Sequence, residues 1–222
     1  MINISKIERS NRKTLSIVVT SEGEVVIKAP LRLPLCEIQR FVQEKSGWIE
    51  NKLAKIKNNT SQFSSVINYQ KLLVFGNICT AYRSKSVKNI VFDGSRVLVC
   101  EKWPQDKLMG KINSWYKKLA NDYIISRVHQ IAEIINLKPG LVKCTGSRGR
   151  WGACNNNKHI MINYRAVMLP KRLIDYIIVH ELAHLVHLNH SKEFWALVGE
   201  IMPAYPSMRK ELKQYGFVLK LF

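Results

Sequence analysis

Residues 171–190 read KRLIDYIIVHELAHLVHLNH, and the pattern His180-Glu181-Leu182-Ala183-His184 inside them decides how the rest of the chain is understood. Pro170 just ahead of the stretch favours a helix start, and the spacing predicts a helix over 171–188. Two histidines four residues apart stand about 40° apart around a helix axis, so both imidazoles can reach one metal ion. Glu181, beside the first of them, stands where a general base toward a metal-activated water belongs. Leu173, Ile174, Ile177, Ile178, Val179, Leu182, Leu185 and Val186 make the helix apolar almost all round, so it is expected to be buried. Burying two imidazoles and a carboxyl without partners costs several kcal/mol, roughly, and a metal relieves that cost. The duller alternative is two core histidines bonded to carbonyls, with Glu181 paired to an arginine.

A catalytic zinc takes three protein ligands and keeps one position for water. His187 and His190 both follow the motif. His187 shares the ligand face but lies about 10.5 Å farther along a straight helix than His180, too far to converge well. His190 stands ten residues after His180, the spacing of the third ligand in the H-E-x-x-H-x-x-G-x-x-H pattern. It would point about 80° away on a continuous helix, so the helix must stop first. Asn189 is the residue expected to turn it, through a left-handed conformation. On this geometry His190 is preferred over His187.

Upstream, Thr14 to Thr20 and Glu24 to Lys28 read as a hairpin across Ser21-Glu22-Gly23, and Leu35 to Lys57 as a helix closed by the polar break Asn58-Asn59-Thr60-Ser61. Three or four strands are expected between Lys71 and Cys100, and Trp103-Pro104 suggests a joint. A long amphipathic helix over 105–136 ends at Pro139-Gly140. Strands are expected at 141–147 and 159–163, flanking a loop with Gly149 and Gly152, and short helices at 192–201 and 206–215. The class is therefore α+β, with a β-rich half over 1–103 and a catalytic core over 104–222, joined in one unit spanning 1–222.

The sequence resembles the YgjP-like, SprT-related metallopeptidases. Residues 173–195, LIDYIIVHELAHLVHLNHSKEFW, match that family's core, and Arg150-Trp151-Gly152-Ala153-Cys154 resembles its R-W-G-S-C segment with Ala153 for Ser. Asn163-Tyr164-Arg165 with Leu169-Pro170 resembles N-W-R…L-P, and Met202-Pro203-Ala204-Tyr205 resembles M-P-D-Y. The resemblance spans essentially the whole chain. It implies a zincin-like core holding one Zn²⁺ per chain through His180, His184 and His190, with Glu181 as base, acting on a protein or peptide substrate. A metal-dependent amidohydrolase acting on a small molecule, and a protease recruited to nucleic-acid-bound proteins, are the alternatives. An oxyanion donor is expected near the metal. Tyr205, His187, Arg148 and Arg150 are the candidates. Glu193 and Glu200 could orient a ligand from outside it.

Composition bounds these readings. The 222 residues are 46% hydrophobic, which excludes a disordered polybasic chain. The net charge of +19 favours acidic partners and makes nucleic-acid association a possibility to test. Residues 1–60 carry 11 basic and 6 acidic side chains, and residues 61–140 and 141–222 carry 12 and 5 each, so no basic tail stands out. Five widely spaced cysteines without a C-x-x-C pair argue against a disulfide framework or a cysteine metal site. The N-terminal stretch has no apolar run of signal-peptide type, and the most apolar segment is broken by charges, so no membrane association and a cytoplasmic setting are expected.

Overall fold

The computed structural model describes residues 2–20, 23–64 and 70–222, with the side chains of 55 and 57–64 left aside. The chain divides into two compact units, Met1–Ser64 and Ser65–Phe222.

In the first unit β1 (Lys6–Ser10), β2 (Ser16–Val19) and β3 (Val25–Pro30) form a sheet in the order β1-β3-β2. The expected hairpin is β2 with β3, antiparallel; Ser21 and Glu22 of its turn lie outside the described residues. β1, which pairs parallel to β3, has no counterpart in the sequence reading. Its residues KIERS carry one apolar side chain, as an edge strand tolerates, so no alternation marks it. The helices α1 (Leu35–Glu44) and α2 (Ser46–Ser64) replace the single helix expected over 35–57, with a break at Lys45. The polar residues 58–61 do not end α2, whose backbone ladder continues to Ser64. Val25, Ile27 and Ala29, spaced by two on β3, pack with Ile38, Val42 and Ile49 of the helices. Each such aliphatic side chain contributes roughly 1.5–3 kcal/mol on burial.

In the second unit β4 (Lys71–Val74), β5 (Asn77–Ser84), β6 (Val91–Phe92) and β7 (Val97–Cys100) form a sheet in the order β4-β5-β7-β6. The long helix α3 (Gln105–Ile134) follows. Its buried residues Leu108, Ile112, Tyr116, Ala120, Ile124 and Val128 recur every four positions. Trp103-Pro104 is therefore not the joint between units. Tyr116 of α3 donates its hydroxyl to the Leu73 carbonyl on β4, a buried hydrogen bond of 3.0 Å, and strands β4–β7 belong with the helices.

β8 (Val142–Thr145), β9 (Gly152–Cys154) and β10 (Ile160–Asn163) form the third sheet, in the order β8-β10-β9. β9 runs antiparallel to β10 at the sheet edge, where a loop was expected. A 3-10 helix, Tyr164–Met168, then leads into α4 (Lys171–Ala183), followed by α5 (Lys192–Ile201), α6 (Tyr205–Leu212) and a second 3-10 helix, Lys213–Lys220.

Two fastenings set the position of α4. The β4–β5 turn carries φ of 49° at Phe75 and 83° at Gly76, and Phe75 and Gly76 donate their amides to Val167 and Met168. A Cβ at Gly76 would lie 2.8 Å from the Pro170 ring, so only glycine lets the turn close on the start of α4. Farther along, Arg127 of α3 grips Asp175 of α4 through Nε and Nη2, at 2.7 and 2.9 Å. Among the described residues no helix is long and apolar enough to cross a membrane, and all five cysteines are free thiols.

Candidate metal centre

As its sequence pattern requires, α4 is buried on nearly every side, from Leu173 to Ala183. His180 and Glu181 stand in its last turn, and His184 is its C-terminal cap residue. The helix ends at Ala183, five residues earlier than the sequence suggests. Leu185 and Val186 donate their amides to Leu182 and Ala183 in tightened turns, so the ladder closes on itself. Asn189 does not take a left-handed conformation. Its Oδ1 instead accepts the Ser191 amide at 3.2 Å, and Ser191 caps α5 by accepting the Phe194 amide.

This early turn returns His190 toward α4. The Nε2 atoms of His190 and His180 lie 3.0 Å apart, and one ligand atom from each of His180, His184 and His190 lies within 4.8 Å of the others. His187 contributes through its main chain: its carbonyl oxygen is 2.9 Å from His184 Nδ1. An Nδ1–H donated there leaves the lone pair of His184 Nε2 available as a ligand. His180 Nδ1 is buried without a partner. Burial, then the neighbouring His184, His190 and Arg209, pushes the His180 pKa down to about 4, which keeps the ring neutral at physiological pH. Three imidazole nitrogens drawn this close together form a group that could hold one metal ion through nitrogen ligands.

The motif's downstream aromatics build the walls. Phe194, fully buried, sets its ring centroid 5.0, 4.6 and 4.8 Å from those of His180, His184 and His190. Trp195 stacks on His190 at 5.6 Å, and Tyr205 on Trp195 at 5.3 Å. The Arg209 guanidinium lies 4.6 Å over the Trp195 ring. Arg209 was not marked by the sequence. Its position follows from the turn Met202–Ala204 between α5 and α6, and no local pattern announces that.

Glu181 is 6% exposed. Burial pushes its carboxyl up to about 8, with the charge of Arg150 pulling the other way. The side chain rests on β9, where a Cβ at Gly152 would fall 2.5 Å from Glu181 Oε1. Gly152 thus has a role beyond its loop reading: a main chain without a side chain lets the carboxyl lie flat against the strand. Gly152→Ala is expected to displace Glu181 or β9, costing about 1–3 kcal/mol of stability. Thermal melts check this, and an unchanged midpoint would show that the contact relaxes freely.

Of the other sequence candidates, Arg150 acts electrostatically on Glu181, and Tyr205 stands behind Trp195. Arg148 lines a separate cavity, and Glu193 and Glu200 are exposed.

The shifts predict a pH effect on metal-free protein. Between pH 6.5 and about 8 folded Glu181 holds a proton that the unfolded chain has lost, so stability falls as pH rises. His180 and His190, both lowered from 6.5 by folding, still hold part of a proton in the unfolded chain near pH 6.5 and offset a fraction of the fall. The net loss across it is roughly 1 kcal/mol. Urea unfolding of chelator-treated protein should show it, and Glu181→Gln should abolish it. The same slope in that variant would assign the effect to another group.

Three imidazoles, from the end of α4 and the turn after it, converge beside one buried carboxyl and form a group that could hold a metal ion. The model of the YgjP-like metallopeptidase domain matches residues 13–215, and the chain belongs to that family. Comparison with curated proteins and with solved structures finds no match.

Proposed function

We propose that the protein is a zinc metallopeptidase in which His180, His184 and His190 hold one Zn²⁺ and Glu181 is the general base. The observation that carries the reading is the convergence of the three imidazole nitrogens beside a buried carboxyl. Bound zinc supplies a Lewis acid for the scissile carbonyl and lowers the pKa of water toward 7, roughly. Glu181, whose carboxyl titrates high while metal-free, ionises beside a dication and accepts the proton of the attacking water. It then delivers that proton to the leaving nitrogen. The His187 carbonyl holds His184 in the tautomer that leaves Nε2 free.

A peptide substrate is favoured over a small amide by β9. This strand lies at the edge of its sheet and touches Glu181 through Gly152, so an extended chain can pair along its open side next to the base. The strand over the metal-binding helix supports a zincin-like core. Free cysteines and the absence of a membrane-crossing helix among the described residues accord with a cytoplasmic setting.

Hydrolysis of a mixed peptide library tests the reading. Zinc-loaded protein should cleave internal bonds, chelation should abolish cleavage, and zinc should restore it. Turnover unaffected by complete metal removal would exclude the mechanism.

A further inference from the structure

Arg209 brings a positive charge to the histidine cluster that neither the three imidazoles nor Glu181 requires. It stands in the last turn of α6, is exposed, and holds its guanidinium 4.6 Å over the Trp195 ring. Trp195 in turn lies 5.6 Å from the His190 ring and 5.8 Å from the His180 ring. One aromatic layer therefore separates the guanidinium from two of the clustered imidazoles, and its charge acts on both. His190 is exposed as well, so solvent reaches the cluster and the guanidinium alike.

Folding gives this charge little reason to be there. Among the described residues no carboxylate pairs with Arg209. Glu211, two positions on, is taken by Arg172 at 2.6 Å. A cation in the last turn of a helix favours the helix dipole, but Lys210 stands in the same turn and supplies that charge. Toward a metal ion on the imidazoles, a nearby fixed positive charge is repulsive. An anion lying between two positive groups is attracted by both.

The chemistry of one guanidinium narrows the anion. Its paired N–H groups match a carboxylate as a bidentate fork. A phosphate monoester, with about −1.5 to −2 charge and three acceptor oxygens, calls for several converging cations. Lys210 does not supply a second one, because adjacent residues of a helix do not face the same way. Stacking on Trp195 holds the long side chain in place, which reduces the entropy an exposed arginine loses on pairing. An extended peptide advances roughly 3.3–3.6 Å per residue, so a carboxylate two or three residues from a bond held at the cluster can span the aromatic layer.

We propose that Arg209 binds a carboxylate of the peptide substrate, on an acidic side chain or at a free C-terminus, and so sets the cleavage preference. The inference rests on the peptidase reading for the peptide nature of the ligand. The probes are fluorescent peptides with glutamate at each position in turn and their glutamine counterparts, each made with a free and an amidated C-terminus. Anisotropy is measured on chelator-treated protein at constant ionic strength. In the wild type the best glutamate peptide should bind about fivefold tighter than its glutamine counterpart, or the free C-terminus about fivefold tighter than the amide. The arm that shows the difference identifies the source of the carboxylate. Arg209→Gln should lose the difference, and Arg209→Glu should reverse it in favour of lysine peptides. Lys210→Gln removes the same unit of charge and should keep the difference. Both side chains are exposed, so these variants should fold, and circular dichroism checks that they do.

No difference in either arm of the wild type would overturn the proposal, as would one that survives in Arg209→Gln or vanishes in Lys210→Gln. Zinc-loaded Arg209→Gln that loses turnover equally on acidic and neutral peptides would also overturn it, in favour of a contact with the reacting carbonyl. Zinc-loaded wild type that shows the binding preference but cleaves none of the peptides would uphold the carboxylate site and overturn the peptidase reading.

Discussion

Glu181→Gln is expected to keep one metal per chain and to lose turnover by at least roughly 10²–10⁴-fold, the range that general-base catalysis supplies. The substitution preserves volume, so the contact between this side chain and Gly152 persists and the α4–β9 packing stays intact. The three imidazoles are untouched, and none hydrogen-bonds to Glu181. The carboxyl is costly to bury in ionised form, as its high pKa shows. Metal-free Glu181→Gln should therefore match the wild type only below about pH 4.5, where the carboxyl is protonated in both states, and exceed it increasingly as the pH rises toward about 8. Unimpaired affinity and higher stability beside lost turnover separate a chemical role from a structural one. The measurement is steady-state cleavage of one peptide at several pH values, with metal content determined on the same samples. Full activity in Glu181→Gln would remove the carboxylate from the mechanism.

Much of this was legible in the sequence, and the reasons differ by element. α3 and α4 announce themselves because their buried residues recur at helical spacing over many turns. The hairpin of β2 and β3 follows from β-branched runs around a glycine turn. β1 and β9 stayed hidden for opposite reasons. β1 pairs parallel to a strand some twenty residues away, which no local pattern encodes. β9 spans three residues, GAC, too short for an alternation to register.

The site divides in the same way. The histidines and Glu181 were visible because their chemistry is carried by side-chain type and spacing. What supports them was not, because it is carried by main chain. The His187 carbonyl holds His184, the missing Cβ of Gly152 admits Glu181, and an early turn after Ala183 brings His190 back. The charge of +19 illustrates the same limit. Counting could not show that Lys117, Arg148 and Arg165, separated by up to 48 positions, face one cavity.

The early end of α4 makes the contrast between His190 and His187 the sharpest test of the ligand set. His190→Ala removes a nitrogen 3.0 Å from that of His180 and leaves two imidazoles for the metal. Affinity should fall by far more than the roughly 10–100-fold that loss of an outer-shell partner costs, and purified protein should carry little metal. His190 is exposed, so the fold should survive, as a near-native melt of chelated protein would show. His187→Ala deletes an imidazole whose main-chain oxygen alone serves the site. That oxygen remains, so the bond to His184 Nδ1 persists, and metal content and turnover should match the wild type. His184→Ala completes the set, since it loses both a ligand nitrogen and the bond to the His187 carbonyl and should be at least as depleted as His190→Ala. Zinc retained at full stoichiometry in His190→Ala and lost in His187→Ala would mean that the segment after Ala183 rearranges on binding, extending the helix until His187 takes the third position.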